Sequence, residues 1–62
     1  MSRKEEPVLI GFDRLVRRSE KAILFEFGDR EVWIPKSLIL DVDEGTNVLE
    51  LPRWKAEEEE LL

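Results

Sequence analysis

Two runs of strand-forming residues separated by a two-residue turn constrain this chain more than any other feature. Lys21 to Phe27 is rich in aliphatic and aromatic side chains, stops at Gly28-Asp29, and is followed at once by Arg30 to Ile34. A two-residue loop leaves a hairpin one register: Phe27 opposite Arg30, Glu26 opposite Glu31, Phe25 opposite Val32, Leu24 opposite Trp33, and Ile23 opposite Ile34. Because side chains alternate across a strand, Ile23, Phe25, Val32 and Ile34 share a face that must be core. The other face carries Leu24 and Trp33, with Ala22 near them, beside Glu26 and Glu31. Facing carboxylates are mildly unfavourable, so this face is expected to be solvated at the turn and apolar nearer its base.

The rest of the chain reads as further short strands. Val8, Ile10 and Phe12 alternate with Leu9, Gly11 and Asp13, a parity that continues to Val16 and predicts one long first strand beginning at Pro7. Pro35 ends the third strand, and Pro35-Lys36-Ser37 predicts a single 3₁₀ turn with Ser37 as its cap. Leu38 to Val42 is then a fourth strand, Asp43 to Asn47 a polar turn, and Val48 to Leu51 a fifth strand closed by Pro52. Arg53 to Leu62 contains good helix formers, but Glu57 to Glu60 oppose the helix dipole, so fraying is expected there. The pattern predicts a mainly β fold, a small five-stranded SH3-like barrel with a short C-terminal helix or frayed acidic tail. An OB arrangement would need a helix where only Pro35-Lys36-Ser37 stands. The expected organisation is a disordered N-terminal tail over residues 1–6, one domain over 7–56 and an acidic tail over 57–62.

With 62 residues the core is small, and the absence of cysteine and histidine removes disulfide staples, thiolate catalysis, the usual metal ligands and the usual neutral-pH base. Ser19 and Ser37 therefore have no histidine to activate them, and Lys21 or Lys36 as a base would need a buried pocket. Asp41-x-Asp43 with Gly45 and Glu50 falls out of calcium-loop spacing and predicts a solvated acidic turn. These readings exclude an enzyme and imply no cofactor and no metal. No apolar run is long enough to span a bilayer and the first residues are charged, so a cytoplasmic protein without a membrane role is expected. The chain has no glutamine, a single asparagine, and abundant Glu, Arg and Lys, a thermophile-like composition.

The net charge of −5 is uneven. Residues 1–21 hold six cations against four acids, whereas the remainder holds four cations against eleven acids, four of them in the Glu57 to Glu60 run. That balance argues against a dedicated phosphate-backbone binder, but a basic edge of Arg14, Arg17, Arg18 and Lys21 keeps nucleic-acid binding as an alternative, with an aromatic ring stacking on bases and Lys36 assisting. The glutamate run is itself either a solvated tail or a mimic of a nucleic-acid backbone.

The segments Ser19-Glu20-Lys21-Ala22-Ile23-Leu24, Glu31-Val32-Trp33-Ile34-Pro35-Lys36-Ser37-Leu38-Ile39 and Leu51-Pro52-Arg53-Trp54-Lys55-Ala56 together resemble a pattern found in small, mostly uncharacterised phage and bacterial proteins. That pattern runs T-E-K-A, then W-[IL]-P-K-S-x-I, an acidic stretch and V-P-x-W-L-A. Here Ser19 stands for the Thr, Leu51 for the Val and Lys55 for the Leu. The resemblance implies a phage or mobile-element origin and supplies no mechanism.

Function is accordingly expected in binding. Leu24, Trp33, Lys36 and Trp54 are the candidate partner-binding residues of a non-enzymatic interaction module, because an exposed tryptophan beside an aliphatic side chain is a common protein anchor. In a phage setting the partner would be a host enzyme or defence complex. The structural alternative is that Trp54 folds back over Leu24 and Trp33. A homodimer through the same surface is compatible with either binding class.

Overall fold

The computed structural model describes residues 6–62 and contains two three-stranded antiparallel sheets and one short helix. The strands are β1 (Pro7–Gly11), β2 (Arg14–Arg18), β3 (Ala22–Phe27), β4 (Arg30–Pro35), β5 (Asp41–Asp43) and β6 (Val48–Pro52), and the helix is α1 (Arg53–Glu58). One sheet has the order β1-β6-β5, the other β2-β3-β4. The fold is thus mainly β as expected, but it has six strands in two separate sheets, not five in a closed barrel.

The extra strand arises at Phe12-Asp13, where the predicted long first strand breaks. Phe12 donates its backbone N–H to the Asn47 carbonyl in one sheet (2.9 Å), and Asp13 donates to the Glu26 carbonyl in the other (2.8 Å). Adjacent residues are therefore bonded to different sheets, and the chain turns a corner between them. Asp13 ties the corner down further: its carboxylate accepts the Gly28 N–H and its carbonyl accepts the Asn47 side-chain amide. Beyond the corner, β2 pairs Leu15 with Phe25 but Arg17 with Leu24, so Val16 is the extra residue of a β-bulge. The parity read through to Val16 is lost already at the corner, since Arg14 stands opposite Glu26 on the outer face and Leu15 opposite core Phe25, and the bulge shifts the alternation once more so that Arg17 joins the outer face.

The β3–β4 hairpin has the register expected from its turn at every pair, extended by Ala22 opposite Pro35. Gly28 adopts φ +65°, the left-handed conformation that a glycine in the first position of a two-residue hairpin turn takes without a Cβ penalty. A 3₁₀ turn at Lys36–Leu38 follows Pro35, closed by the Ile39 N–H donating to the Lys36 carbonyl (3.1 Å). Ser37 does not cap it; the turn has no side-chain cap bond. The fourth strand expected over residues 38–42 begins only at Asp41, because the 3₁₀ turn runs through Leu38. In the turn after β5, the Asp43 carboxylate accepts the N–H groups of Gly45 (2.9 Å) and Thr46 (3.2 Å), and Asn47 takes the left-handed conformation (φ 56°).

The core lies between the sheets. Ile10, Leu49 and Leu51 face Ile23, Phe25 and Ile34, with Phe12 at the corner, and Phe25, Ile34, Leu49 and Leu51 are fully buried. Phe12 and Phe25 meet as a tilted aromatic pair with ring centroids 4.9 Å apart. Ala56 from α1 is also fully buried, and Leu61 packs against the same cluster.

The end of the chain is more ordered than its charge suggests. Past the Glu59 cap, Glu60 takes φ 58°, the Leu61 N–H donates to the Ala56 carbonyl (2.8 Å) and the Glu60 N–H to the Glu57 carbonyl (3.0 Å). These two bonds form a Schellman motif, normally built with glycine at the left-handed position. The Arg30 guanidinium, at the start of β4, donates to the Glu59 and Glu60 carbonyls and supplies the cationic cap that the helix dipole favours. The fraying expected of the glutamate run is thus opposed by Arg30 and Leu61. Of the expected N-terminal tail, residues 1–5 lie outside the described residues, and the Glu6 carbonyl accepts the Arg53 N–H (2.9 Å). Among the described residues, no helix is long and apolar enough to cross a membrane.

Candidate functional site

The hairpin register places Trp33 on the outward face of β4, directly opposite Leu24, and the β2 register places Arg17 opposite Leu24 from the other side. Arg17, Leu24 and Trp33 therefore form one row across the outer face of the β2-β3-β4 sheet. Neighbouring strands lie roughly 4.8 Å apart, so the row is about 10 Å wide. Trp33 keeps 44% of its surface exposed, although a domain of this size has few large apolar side chains to spare. Arg17 is exposed, and Leu24 is half-buried.

The next row toward the hairpin turn is Arg14, Glu26 and Glu31. The Arg14 guanidinium pairs with Glu26 (Nε to Oε1 3.1 Å), which offsets the repulsion expected between Glu26 and Glu31. At the opposite end, beyond Ala22 and Pro35, the Lys36 N–H donates to the Lys21 carbonyl (2.8 Å), so two exposed lysines face each other across the base of the hairpin. Lys21 lies within a tight turn in which the Ser19 hydroxyl accepts the Ala22 N–H (3.0 Å) and donates to the Ala22 carbonyl (3.1 Å).

The structure divides the expected basic edge. Arg14 pairs with Glu26, and Arg18 pairs with Glu44 of the β5–β6 turn at 2.6 Å. Arg17, Lys21 and Lys36 have no carboxylate partner among the described residues. Arg17 was legible in the sequence only as part of a basic stretch; its place beside Leu24 and Trp33 follows from the Val16 bulge, which carries no sequence signal.

Trp54 is placed apart from this row. It lies on α1, which packs against β1 and β6 of the other sheet, and it sits on the opposite side of the helix from buried Ala56. Trp54 is 36% exposed. The aromatic ring pairs among the described residues are Phe12–Phe25 and Phe25–Phe27, neither of which includes a tryptophan.

Lys55, where the resembled pattern has an apolar residue, is only 9% exposed. Its stem is buried while its ammonium reaches Glu58 Oε2 (2.9 Å) and Glu59 Oε2 (2.8 Å). The hydrogen bond to Glu59, then that to Glu58, hold the lysine pKa above its ordinary value, against the lowering effect of burial. Among the described residues there is no group of three or more Asp or Glu side chains arranged to hold a metal ion. No protein-family model, curated protein or solved structure matches the chain.

Proposed function

We propose that this chain is a non-enzymatic interaction module that binds a protein partner through the outer face of the β2-β3-β4 sheet, with Trp33 as its anchor. The observation that carries the reading is the 44% exposure of Trp33 on the face away from the core, opposite Leu24. Tryptophan is the residue type most enriched at binding hot spots, where an aliphatic neighbour completes the apolar surface. Lys36 follows the end of β4 at the parity of core-facing Ile34, and Trp54 belongs to a second exposed surface on α1.

On the same reading the two sheets are an opened variant of an SH3-like arrangement. Its supports are the long β3–β4 hairpin, the single 3₁₀ turn after β4 and the antiparallel return of β6 along β1. The resemblance to small phage and bacterial proteins points to a cytoplasmic accessory role directed at a host complex. Nucleic-acid binding is the second reading, favoured by Arg17 beside an exposed tryptophan and weakened by the carboxylate partners of Arg14 and Arg18.

The test is selection of a random-peptide display library on the immobilised full chain, repeated on Trp33→Ala with thermal melts of both proteins. Enriched clones should bind the wild type and lose about 30-fold or more on the folded variant, the equivalent of roughly 2 kcal/mol. Failure to enrich, or clones that bind both proteins equally, would remove the reading.

A further inference from the structure

We infer that the chain self-associates through the free edge of β4: two copies pair their β4 strands antiparallel about a twofold axis at Trp33, joining two β2-β3-β4 sheets into one sheet of six strands. The pairing joins edges and leaves the faces open, so it goes beyond the protein-binding reading above and does not depend on it.

The hydrogen-bond phase of the β3–β4 hairpin fixes where the backbone of β4 points. The Lys36 N–H donates to the Lys21 carbonyl (2.8 Å), so this pair is a bonded one, and alternation makes Ile23–Ile34, Phe25–Val32 and Phe27–Arg30 the other bonded pairs. Glu31 and Trp33 belong to the intervening pairs, so their N–H and C=O groups point away from β3, as does the Pro35 carbonyl. Proline, which has no N–H to give, occupies this same outward phase. β4 is an edge strand, and among the described residues none of these outward groups has a backbone partner. The other edges are blunted: β2 carries the Val16 bulge and three arginines, β5 has three residues of which two are aspartate, and β1 has α1 packed against it. β4 has six residues, no bulge and an exposed tryptophan.

Pairing about Trp33 is self-complementary. Each Trp33 N–H then meets the Trp33 carbonyl of the other copy and each Glu31 N–H its Pro35 carbonyl, so every outward N–H from Glu31 to Pro35 is bonded. On the outer face the two Trp33 side chains become neighbours, flanked by the two Leu24, and each Glu31 stands opposite a proline with no carboxylate across from another. On the inner face Val32, only half-buried despite its core parity, stands opposite Ile34 of the second copy. A register centred on Val32 would instead set Trp33 opposite Glu31 and bring the two Glu31 onto one diagonal. One like-charge pair, Arg30 opposite Lys36 of the second copy, closes each end, and there Arg30 is already engaged by the Glu59 and Glu60 carbonyls. A single short edge covers less than the roughly 800 Å² per partner of a stable interface, so the dimer is a transient one with Kd on the order of 100 µM. Each chain carries −5, so added salt screens repulsion between the copies and does not weaken the pairing.

The test is sedimentation equilibrium of the full chain from about 20 µM to about 1 mM, with amide hydrogen exchange read residue by residue at both ends of that range. The weight-average mass should rise from near the monomer toward the dimer and no further, and added salt should not reverse it. Exchange at the Glu31 and Trp33 amides should slow roughly 4-fold across the range, which is the change in monomer fraction for that Kd, while the Val32 and Ile34 amides, bonded to β3, should be protected at both ends. Glu31→Pro removes one outward N–H in the phase that Pro35 already occupies and keeps every β3–β4 bond; it should melt as a folded protein and stay monomeric. If that variant does not fold, the exchange pattern of the wild type decides. A constant monomer mass up to about 1 mM, a folded Glu31→Pro that dimerises as the wild type does, or Glu31 and Trp33 amides that exchange equally fast at both concentrations would overturn the inference. Assemblies larger than a dimer, which need a second edge, or a dimer dissociated by salt would overturn it too. Display clones that need Trp33 on a chain that stays monomeric would overturn this inference alone and leave the protein-binding reading standing.

Discussion

Replacing Lys55 by leucine is expected to stabilise the protein by about 1 kcal/mol, even though it deletes two ion pairs. The residue is only 9% exposed, so most of its stem is already removed from water and leucine would retain comparable apolar burial. The losses are one i,i+3 pair to Glu58 (2.9 Å) and one i,i+4 pair to Glu59 (2.8 Å). Helical pairs of this kind contribute roughly 0.3–0.5 kcal/mol each, and lysine placed before glutamate is the weaker order. Against at most about 1 kcal/mol lost stand two gains: relief from partly desolvating an ammonium, and about 1 kcal/mol less side-chain entropy lost by leucine than by lysine. The net gain should appear as a rise in Tm of roughly 4–8 °C in calorimetry of both proteins at pH 7. Alkaline titration supplies an independent signature. The folded-state pKa of Lys55 is raised, chiefly by the Glu59 hydrogen bond, so its contribution is complete below the unfolded lysine value of about 10.4 and is lost as pH rises through the folded value. The stability advantage of Lys55→Leu should therefore widen in the alkaline range. A leucine variant less stable by 1 kcal/mol or more, or an advantage that does not change there, would refute the reasoning.

Two further predictions concern the scaffold. Glu60→Gly should stabilise by about 1 kcal/mol, because φ 58° costs a residue with a Cβ and the anion there opposes the helix dipole; Glu60→Gln, which removes only the charge, should recover less than half of this in the same melts. Phe25→Ala should cost roughly 3–5 kcal/mol and leave much of the protein unfolded at 25 °C by circular dichroism, since Phe25 is fully buried between Phe12 and Phe27 and a chain of this length has only about 3–9 kcal/mol to lose.

What was legible in the sequence was set by local chemistry. Gly28-Asp29 dictated the hairpin register residue by residue, and Pro35 and Pro52 marked where β4 and β6 end. What escaped was set by contacts between distant segments. Nothing in Phe12-Asp13 itself shows that one residue bonds to Asn47 and the next to Glu26, and nothing in Arg14 to Arg18 marks Val16 as the residue that bulges from the β2–β3 ladder. The candidate site divides in the same way. Leu24 and Trp33 followed from the hairpin, whereas the place of Arg17 beside them and the loss of Arg14 and Arg18 to ion pairs required the assembled sheets. The docking of the C-terminal segment was hidden because its glutamates read as a solvated run, while the groups that hold it, Arg30 and Leu61, are unremarkable in sequence.

The central claim is that Trp33 is kept exposed for a partner on a scaffold that does not depend on it, and Trp33→Ala tests this most directly when stability and binding are measured on the same preparation. With 44% of the residue exposed, the substitution should cost about 2 kcal/mol in thermal melts, roughly half the cost of truncating a fully buried aromatic residue. Affinity for display-selected ligands should fall by about 30-fold or more while the variant remains folded. A variant that loses 4 kcal/mol or more of stability, or one that folds and binds those ligands as the wild type does, would contradict the account.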